Sequence, residues 1–428
     1  MTDRPLKQIH LAAHFPGVNN TTVWSDPASG SHIEFSSFRH LAQTAERGKF
    51  DFFFLAEGLR LRESKGRIHD LDVVGRPESI TVLNALAAVT ERLGLAATVN
   101  ATFNEPYELA RRFASLDHLS GGRAAWNVVT SSDAFTGENF RRGGYLDRAD
   151  RYTRAAESVQ LAREFWDAGE ETVRHSGPQF EVEGRLSLPR PPQGHPVVIQ
   201  AGDSDEGREF AAATADVVFS RHSTLADGQA FHTDVKRRLG AYGRKPDELK
   251  IMPAATFALG DTDAEAAERA HEIRRAQVGA QTTIAFLEQV WGIDLSDHDP
   301  DGPLPTVDPD PDSDLVQGRV RHVDPVAVAE RWRAVAAEKR LTSRELVIEL
   351  TGRQSFIGSP ATVAAQIDHF VQNDAADGFI LVPHLTPGGL DEFVDRVVPL
   401  LQERGVFRTD YTGSTLREHL GLPVPGRR

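Results

Sequence analysis

Short apolar runs alternate along the chain with longer stretches in which apolar residues recur at helical spacing. Runs rich in β-branched or aromatic residues predict strands at Gln8–Ala13, Phe50–Ala56, Leu93–Val99, Ala124–Thr130, Pro196–Gln200, Asp216–Ser220, Leu249–Phe257 and Gly378–Val382. The matching helices are Ser36–Arg47, Ile80–Arg92, Tyr107–Leu119, Arg148–Trp166, Glu206–Ala213, Ala226–Tyr242, Pro360–Asn373 and Leu390–Glu403. The strands read as near-continuous apolar segments, as in Phe50-Asp-Phe-Phe-Phe-Leu-Ala56, so both faces of the sheet are covered and the strands run parallel. Eight βα units in one chain predict a closed (β/α)8 TIM barrel rather than an open doubly wound sheet.

One stretch breaks the alternation. Residues 259–359, between the seventh strand and its helix, hold a helical region (Asp263–Val290), a Pro/Asp-rich loop (Leu295–Leu315) and two further helical patches (Pro325–Glu338 and Ser343–Leu350). Long insertions in barrels sit on the C-terminal face and cover the site there. The segment is therefore expected to be a lid, or else a peripheral helical decoration. Within its loop, Asp297, Asp299, Asp301, Gly302 and Asp308 match a calcium loop loosely, but the interleaved prolines favour an acidic surface loop.

Composition narrows the chemistry. The 428 residues include no cysteine, which removes disulfides, thiolate nucleophiles and thiolate-bound metals. A formal net charge of −14 argues against a nucleic-acid surface. No segment has the apolar length of a membrane span, and Met1–Lys7 lacks a signal-peptide core, so a cytoplasmic protein is expected. Gly-x-Gly, P-loop, Gly-x-Ser-x-Gly and His-Glu-x-x-His patterns are all missing.

Polar residues cluster instead just beyond the predicted strand ends, where barrel enzymes place their chemistry. Glu57 follows the second strand; Asn100, Thr102 and Asn104 follow the third; Asn127 to Ser132 close the fourth; Gln200-Ala-Gly202-Asp203-Ser204 closes the fifth and opens a helix. Helix starts bind phosphate through free N–H groups, although Ser204 is equally a simple N-cap. His14, His222 and His384 lie on the same face; His14 and His384 are the candidate proton donors. Phe15, Trp24, Phe53, Phe103 and Trp126 are candidate walls of a dry pocket, of which no more than half are expected to line it.

Several long motifs in order make the chain resemble the bacterial-luciferase-like flavin monooxygenases, closest to the nitrilotriacetate/dibenzothiophene-sulfone/pristinamycin monooxygenase branch. They are Thr102-Phe-Asn-Glu-Pro-Tyr-Glu-Leu-Ala-Arg111, Gly121-Gly-Arg-Ala-Ala-Trp-Asn127-Val-Val-Thr-Ser131 with Glu138-Asn139-Phe140, Arg151-Tyr152-x-Arg154-Ala-x-Glu157, Gln200-Ala-Gly-x-Ser204, and the tail from Gly405 with Arg408, Tyr411 and Leu416 to Leu422. The resemblance implies a single barrel over residues 1–428 with a C-terminal tail at 405–428, FMN used as FMNH2, O2 as co-substrate, and a separate NAD(P)H:flavin reductase as partner. A small-molecule substrate and a homo-oligomer are expected with it. Carried over by position, Glu57 lies near the flavin ring, where relatives usually have Asp. Thr102 and Asn127 contact the ring or ribityl chain, and Tyr152 and Ser204 hold the phosphate. Arg148 joins them where relatives commonly have His, and it can grip phosphate bidentately. Asn19 and Asn20 stand where many relatives carry His, so their substrates do not transfer. Reduced flavin reacts with O2 unaided, which fits a site of polar positioning groups without a strong nucleophile. The alternatives are a deazaflavin-dependent oxidoreductase of the same superfamily, a flavin-sequestering protein without activity, and an unrelated metal-dependent barrel.

Overall fold

The computed structural model describes residues 5–17, 21–59, 75, 77–131, 139–140, 150–313, 324–351 and 355–426, with the backbone of 63–64 and 67–68. Its frame is a closed ring of eight parallel strands: β1 (His10–His14), β2 (Phe52–Leu55), β3 (Gly94–Asn100), β4 (Ala124–Val129), β5 (Val197–Gln200), β6 (Val217–Ser220), β7 (Lys250–Leu259) and β8 (Gly378–Leu381). The ring runs in sequence order and closes where β8 pairs with β1, His10 opposite Gly378. The (β/α)8 barrel expected from the alternation is therefore present, strand for strand.

Each strand divides its residues between two cores. Ala12, Phe52, Phe54, Ala96, Ala125, Val197, Ile199, Val217, Met252 and Ile380 fill the barrel interior. Their sequence neighbours, among them Leu11, Phe53, Leu95, Trp126, Val198 and Phe379, pack outward against the helices. Three of the candidate wall aromatics, Phe15, Phe53 and Trp126, belong to this outer layer: Phe15 stacks on Phe38 and Trp126 on Phe113. A strand buried on both faces carries no polar alternation to tell its two sides apart.

The tail closes the N-terminal end of the barrel. Leu416, Leu420 and Leu422 join the interior cluster, and a Cβ on Gly94 would lie 2.6 Å from Leu416 Cδ1. Arg417 and Arg408 bind Asp216 and Asp51, the residues just before β6 and β2, and the Leu416 N–H donates to the Gly122 carbonyl at 3.0 Å. Asp51 and Asp216 also accept backbone N–H groups, from Leu11 and Val198.

Elsewhere the structure departs from the sequence pattern for local reasons. The helix expected to run to Arg92 ends at Ala87, because the buried guanidinium of Arg123 takes the Ala87, Thr90 and Leu93 carbonyls. The helix expected over Leu390–Glu403 breaks in two at Val397, ahead of Pro399. A hairpin of Val173–Ser176 with Glu181–Gly184 has too few apolar residues to read as strand from sequence.

In the insertion, β7 runs on beyond the barrel, and Thr256–Leu259 pair in parallel with an extra strand, Ser355–Gly358. Helices Asp263–Gln277, Ala280–Trp291, Pro325–Lys339 and Ser343–Leu350 follow the sequence expectation, the first region being split at Gly279. They enclose a small core of their own around Leu287, Trp291, Val328 and Leu346. The insertion reaches the β1 loop, where Gln277 Nε2 donates to the Thr21 carbonyl at 2.6 Å. Among the described residues, no helix is long and apolar enough to cross a membrane, and no three His, Asp or Glu side chains are grouped to hold a metal.

Candidate functional site

Interior-facing positions turn polar toward the C-terminal end of the barrel. His14 ends β1 above Ala12, Thr98 and Asn100 end β3 above Ala96, and Asn127 follows Ala125 in β4. All four are buried. The His14 ring stacks on Phe54 with centroids 5.5 Å apart, and Phe54 stacks on Phe219 at 5.4 Å, so three rings from β1, β2 and β6 meet here. Phe54 and Phe219 are site-facing aromatics that the sequence reading missed. Of the candidate walls, Phe103 stacks on Phe140 at 4.7 Å above the β3 and β4 ends, and Trp24 meets His32 edge-on.

Hydrogen bonding fixes this polar layer while leaving specific atoms unused. Asn127 Nδ2 donates to Thr98 Oγ1 at 2.9 Å, while Asn127 Oδ1 is buried with no partner among the described residues. Gln200 Oε1, at the end of β5, is in the same condition. Buried polar atoms are normally satisfied, so unused acceptors in one region point to a missing ligand or water. Thr102 is held from three directions. Its N–H donates to Asn100 Oδ1 at 2.6 Å, its Oγ1 accepts from the Ser131 N–H at 3.2 Å, and its carbonyl accepts from Arg154 Nε at 3.1 Å. Glu57 accepts from the Ser79 N–H at 3.4 Å, at the start of helix Ser79–Ala87.

Next to this layer a cavity of about 440 Å³ is lined by Val128, Val129, Thr130, Arg151, Tyr152 and the turn Gln200–Ser204. Helix Arg151–Asp167 brings Arg151 and Tyr152; the ten-residue helix Asp205–Thr214 begins at the turn. A Cβ on Gly202 would collide with Gln200 Nε2 and lie 2.7 Å from Tyr152 Oη, and one on Gly207 would lie 2.9 Å from the same hydroxyl. The two glycines therefore let the Tyr152 hydroxyl into the mouth of a helix N-terminus. Ser204 caps that helix, its Oγ accepting from the Gly207 N–H at 3.1 Å. The simple capping role is thus realised, and the Ser204 hydroxyl also hydrogen-bonds the Glu206 carboxylate. The guanidinium of Arg151 lies over the Tyr152 ring at 4.7 Å. A phosphate fits this donor set of helix N-terminus, tyrosine hydroxyl and arginine. Arg148, Asn19, Asn20 and Glu138 lie outside the described residues.

The histidines separate. His384 sits beyond β8, its carbonyl accepting from the Val23 N–H at 2.8 Å, and its buried Nδ1 has no partner among the described residues. Burial, reinforced by the Arg269 cation, pushes its pKa down to about 4, so the ring is neutral at pH 7. His222 packs on Phe231 at 4.2 Å, and burial lowers its pKa as well.

A parallel barrel with a polar C-terminal layer, unused buried acceptors and an adjoining cleft at a helix N-terminus has the architecture of barrel enzymes that carry their chemistry at that face. Comparison with known proteins makes this specific. Residues 16–378 match the luciferase-like monooxygenase family, and the chain belongs to it. It is 40% identical to nitrilotriacetate monooxygenase component A of Aminobacter aminovorans, covering 94% of this chain and 93% of that one. It is 39% identical to the N-acetyl-S-(2-succino)cysteine monooxygenase of Bacillus subtilis, covering 99% and 98%. Among solved structures it resembles a riboflavin lyase bound to modified FMN and riboflavin, with a TM-score of 0.79 at 29% identity over 98% and 97% of the two chains. The chain is an enzyme, a monooxygenase of a flavin-dependent family.

Proposed function

We propose that this chain is the oxygenase component of a two-component system. It takes FMNH2 from a separate NAD(P)H:flavin reductase and uses O2 to oxygenate a small organic substrate. The carrying observation is the cradle in which Gly202 and Gly207 admit the Tyr152 hydroxyl to a helix N-terminus, beside the unused acceptors of Asn127 and Gln200. Reduced flavin supplies the electrons that activate O2; the protein's part is to bind, orient and exclude water. In this reading Tyr152, Ser204, Arg151 and Arg148 hold the phosphate, and Asn127, Thr102 and Glu57 orient the ring and ribityl chain. Asn127 Oδ1 is an acceptor suited to a ring N–H. His14, on the interior wall, and His384, at the rim, are the groups nearest to a proton-donating role. The insertion at 259–359, joined to the β1 loop through Gln277 and Thr21, is the lid over this face, and the chain assembles as a homo-oligomer in the cytoplasm.

Two of the relatives at 39–40% identity act, by their names, on small molecules bearing several carboxylates, which places that class first in a substrate screen. The test is anaerobic titration with reduced FMN, followed by turnover with a generic flavin reductase, NADH and O2. Tight FMNH2 binding and O2-dependent product support the reading. Turnover of the same substrate without O2, or preference for a deazaflavin, overturns it.

A further inference from the structure

The first two turns of helix Arg151–Asp167 touch two different parts of the site. Arg151 and Tyr152 face the cavity at the β5 turn. Arg154 does not: its buried guanidinium donates from Nε to the Thr102 carbonyl at 3.1 Å, beyond the end of β3, and from Nη1 to the Gln179 carbonyl at 3.4 Å. The same group lies 4.1 Å over the Phe180 ring. Gln179 and Phe180 close the hairpin outside the barrel, and that hairpin is tied to the same helix by a second buried charge. Glu157 accepts from His175 Nε2 at 2.9 Å, from the Phe180 N–H at 2.9 Å and from the Gln179 N–H at 3.1 Å. A Cβ on Gly177 would collide with this carboxylate. One side of Arg154 is thus buttressed by the hairpin, and its Nε engages a backbone carbonyl inside the candidate site.

We propose that Arg154 is a positioning residue that sets where the flavin ring lies relative to its phosphate. It does so by locking the Thr102 segment to the helix that carries Tyr152. The inference rests on the FMN reading above. A charged donor to a buried carbonyl is among the stronger hydrogen bonds, and a guanidinium held by an aromatic face and a second carbonyl has little freedom to follow a shifting loop. Thr102 is also held by Asn100 Oδ1, two residues before it, and by the Ser131 N–H beyond the end of β4. Without Arg154 the ring contacts loosen while the phosphate cradle stays intact.

The experiment compares Arg154→Met and Arg154→Lys with the wild type, using oxidised FMN and riboflavin as probes. Equilibrium titration gives both affinities, and visible circular dichroism reports the environment of the bound ring. In Arg154→Met, FMN and riboflavin should weaken together by about tenfold, the loss of one charge-assisted hydrogen bond, with their ratio unchanged. The dichroism of the bound ring should change, and Arg154→Lys should restore it in part. A merely structural role would lower the thermal unfolding midpoint of Arg154→Met and leave the bound-ring spectrum as in the wild type; that result overturns the proposal. So does a loss confined to FMN, which would place Arg154 in the phosphate site. Wild-type protein that binds neither flavin overturns the FMN reading and this inference together, whereas wild-type binding with an unaltered Arg154→Met spectrum overturns this inference alone.

Discussion

Arg417 donates two parallel hydrogen bonds to the Asp216 carboxylate, at 3.2 and 2.8 Å, with the arginine side chain only 2% exposed. The pair joins the C-terminal tail to the residue just before β6, and the second Asp216 oxygen also accepts the Val198 N–H of β5. Burial would raise the Asp216 pKa, but Arg417 and Arg163 outweigh it and hold the carboxyl below its ordinary value. Removing one partner leaves the other buried and uncompensated. Arg417→Met should therefore lose about 3–5 kcal/mol of stability, read as a lower urea midpoint. A midpoint equal to that of the wild type would show that the tail is not structural.

Asp51 makes the equivalent contact with Arg408 and adds His10, whose Nδ1 lies 3.1 Å from Oδ1. Burial pushes this carboxyl up, yet the Arg408 charge and the hydrogen bonds from Arg408 and His10 bring it down to about 2 from an ordinary 3.8. A depressed carboxylate stabilises the fold above its unfolded pKa, and that stability is lost as pH falls through the folded one. About 2 kcal/mol should thus disappear between pH 4 and pH 2. Denaturation curves across that interval should be flatter for Asp51→Asn than for the wild type; equal slopes would refute the assignment.

Gly202→Ala should damage cofactor binding without unfolding the barrel. The new methyl would meet Gln200 Nε2 and the Tyr152 hydroxyl, so both side-chain ends must shift from their places in the cradle. FMN affinity should fall about tenfold or more, as expected when a charge-assisted hydrogen bond is lost, and riboflavin affinity much less. Tyr152→Phe should show the same selectivity. Equal losses for the two flavins would remove phosphate from this cradle.

His384 is neutral through the neutral pH range, because burial and Arg269 lower its pKa to about 4. A histidine depressed in this way adds stability above its unfolded pKa, and that contribution is lost as pH falls through 4. Any proton it donates must come from the neutral ring N–H. His384→Asn should slow oxygen transfer with FMN affinity retained, and should not alter the rate profile between pH 6 and 8. A rate limb near pH 6.5 that vanishes in His384→Asn would contradict this.

The insertion offers a test of its own. If it is a lid, amides in Asp263–Gln277, which contact the β1 loop through Thr21, should exchange more slowly when flavin and substrate are both bound. Exchange indifferent to both ligands would leave it a decoration.

The chain's own pattern determined the barrel. Its strands read as near-continuous apolar runs, each followed by an amphipathic stretch, because a parallel sheet must be covered on both faces by its crossover helices. Polar residues toward and past the C-terminal strand ends were legible for a related reason: packing has no use for Asn127 or Thr102 where they stand.

Tertiary structure alone decided which side of each strand meets the site. In Phe52-Phe53-Phe54 every side chain is buried, and only ring closure assigns Phe54 to the interior with His14 and Phe53 to the helices. The same holds for contacts distant in sequence. Nothing local in Arg154 distinguishes it from other helix arginines until the fold brings the Thr102 carbonyl to its Nε. Likewise nothing local in Leu416 or Arg417 marks a barrel plug until the tail returns to Gly94 and Asp216. Periodicity is a property of neighbours along the chain; a site is made by residues that become neighbours only when the ring closes.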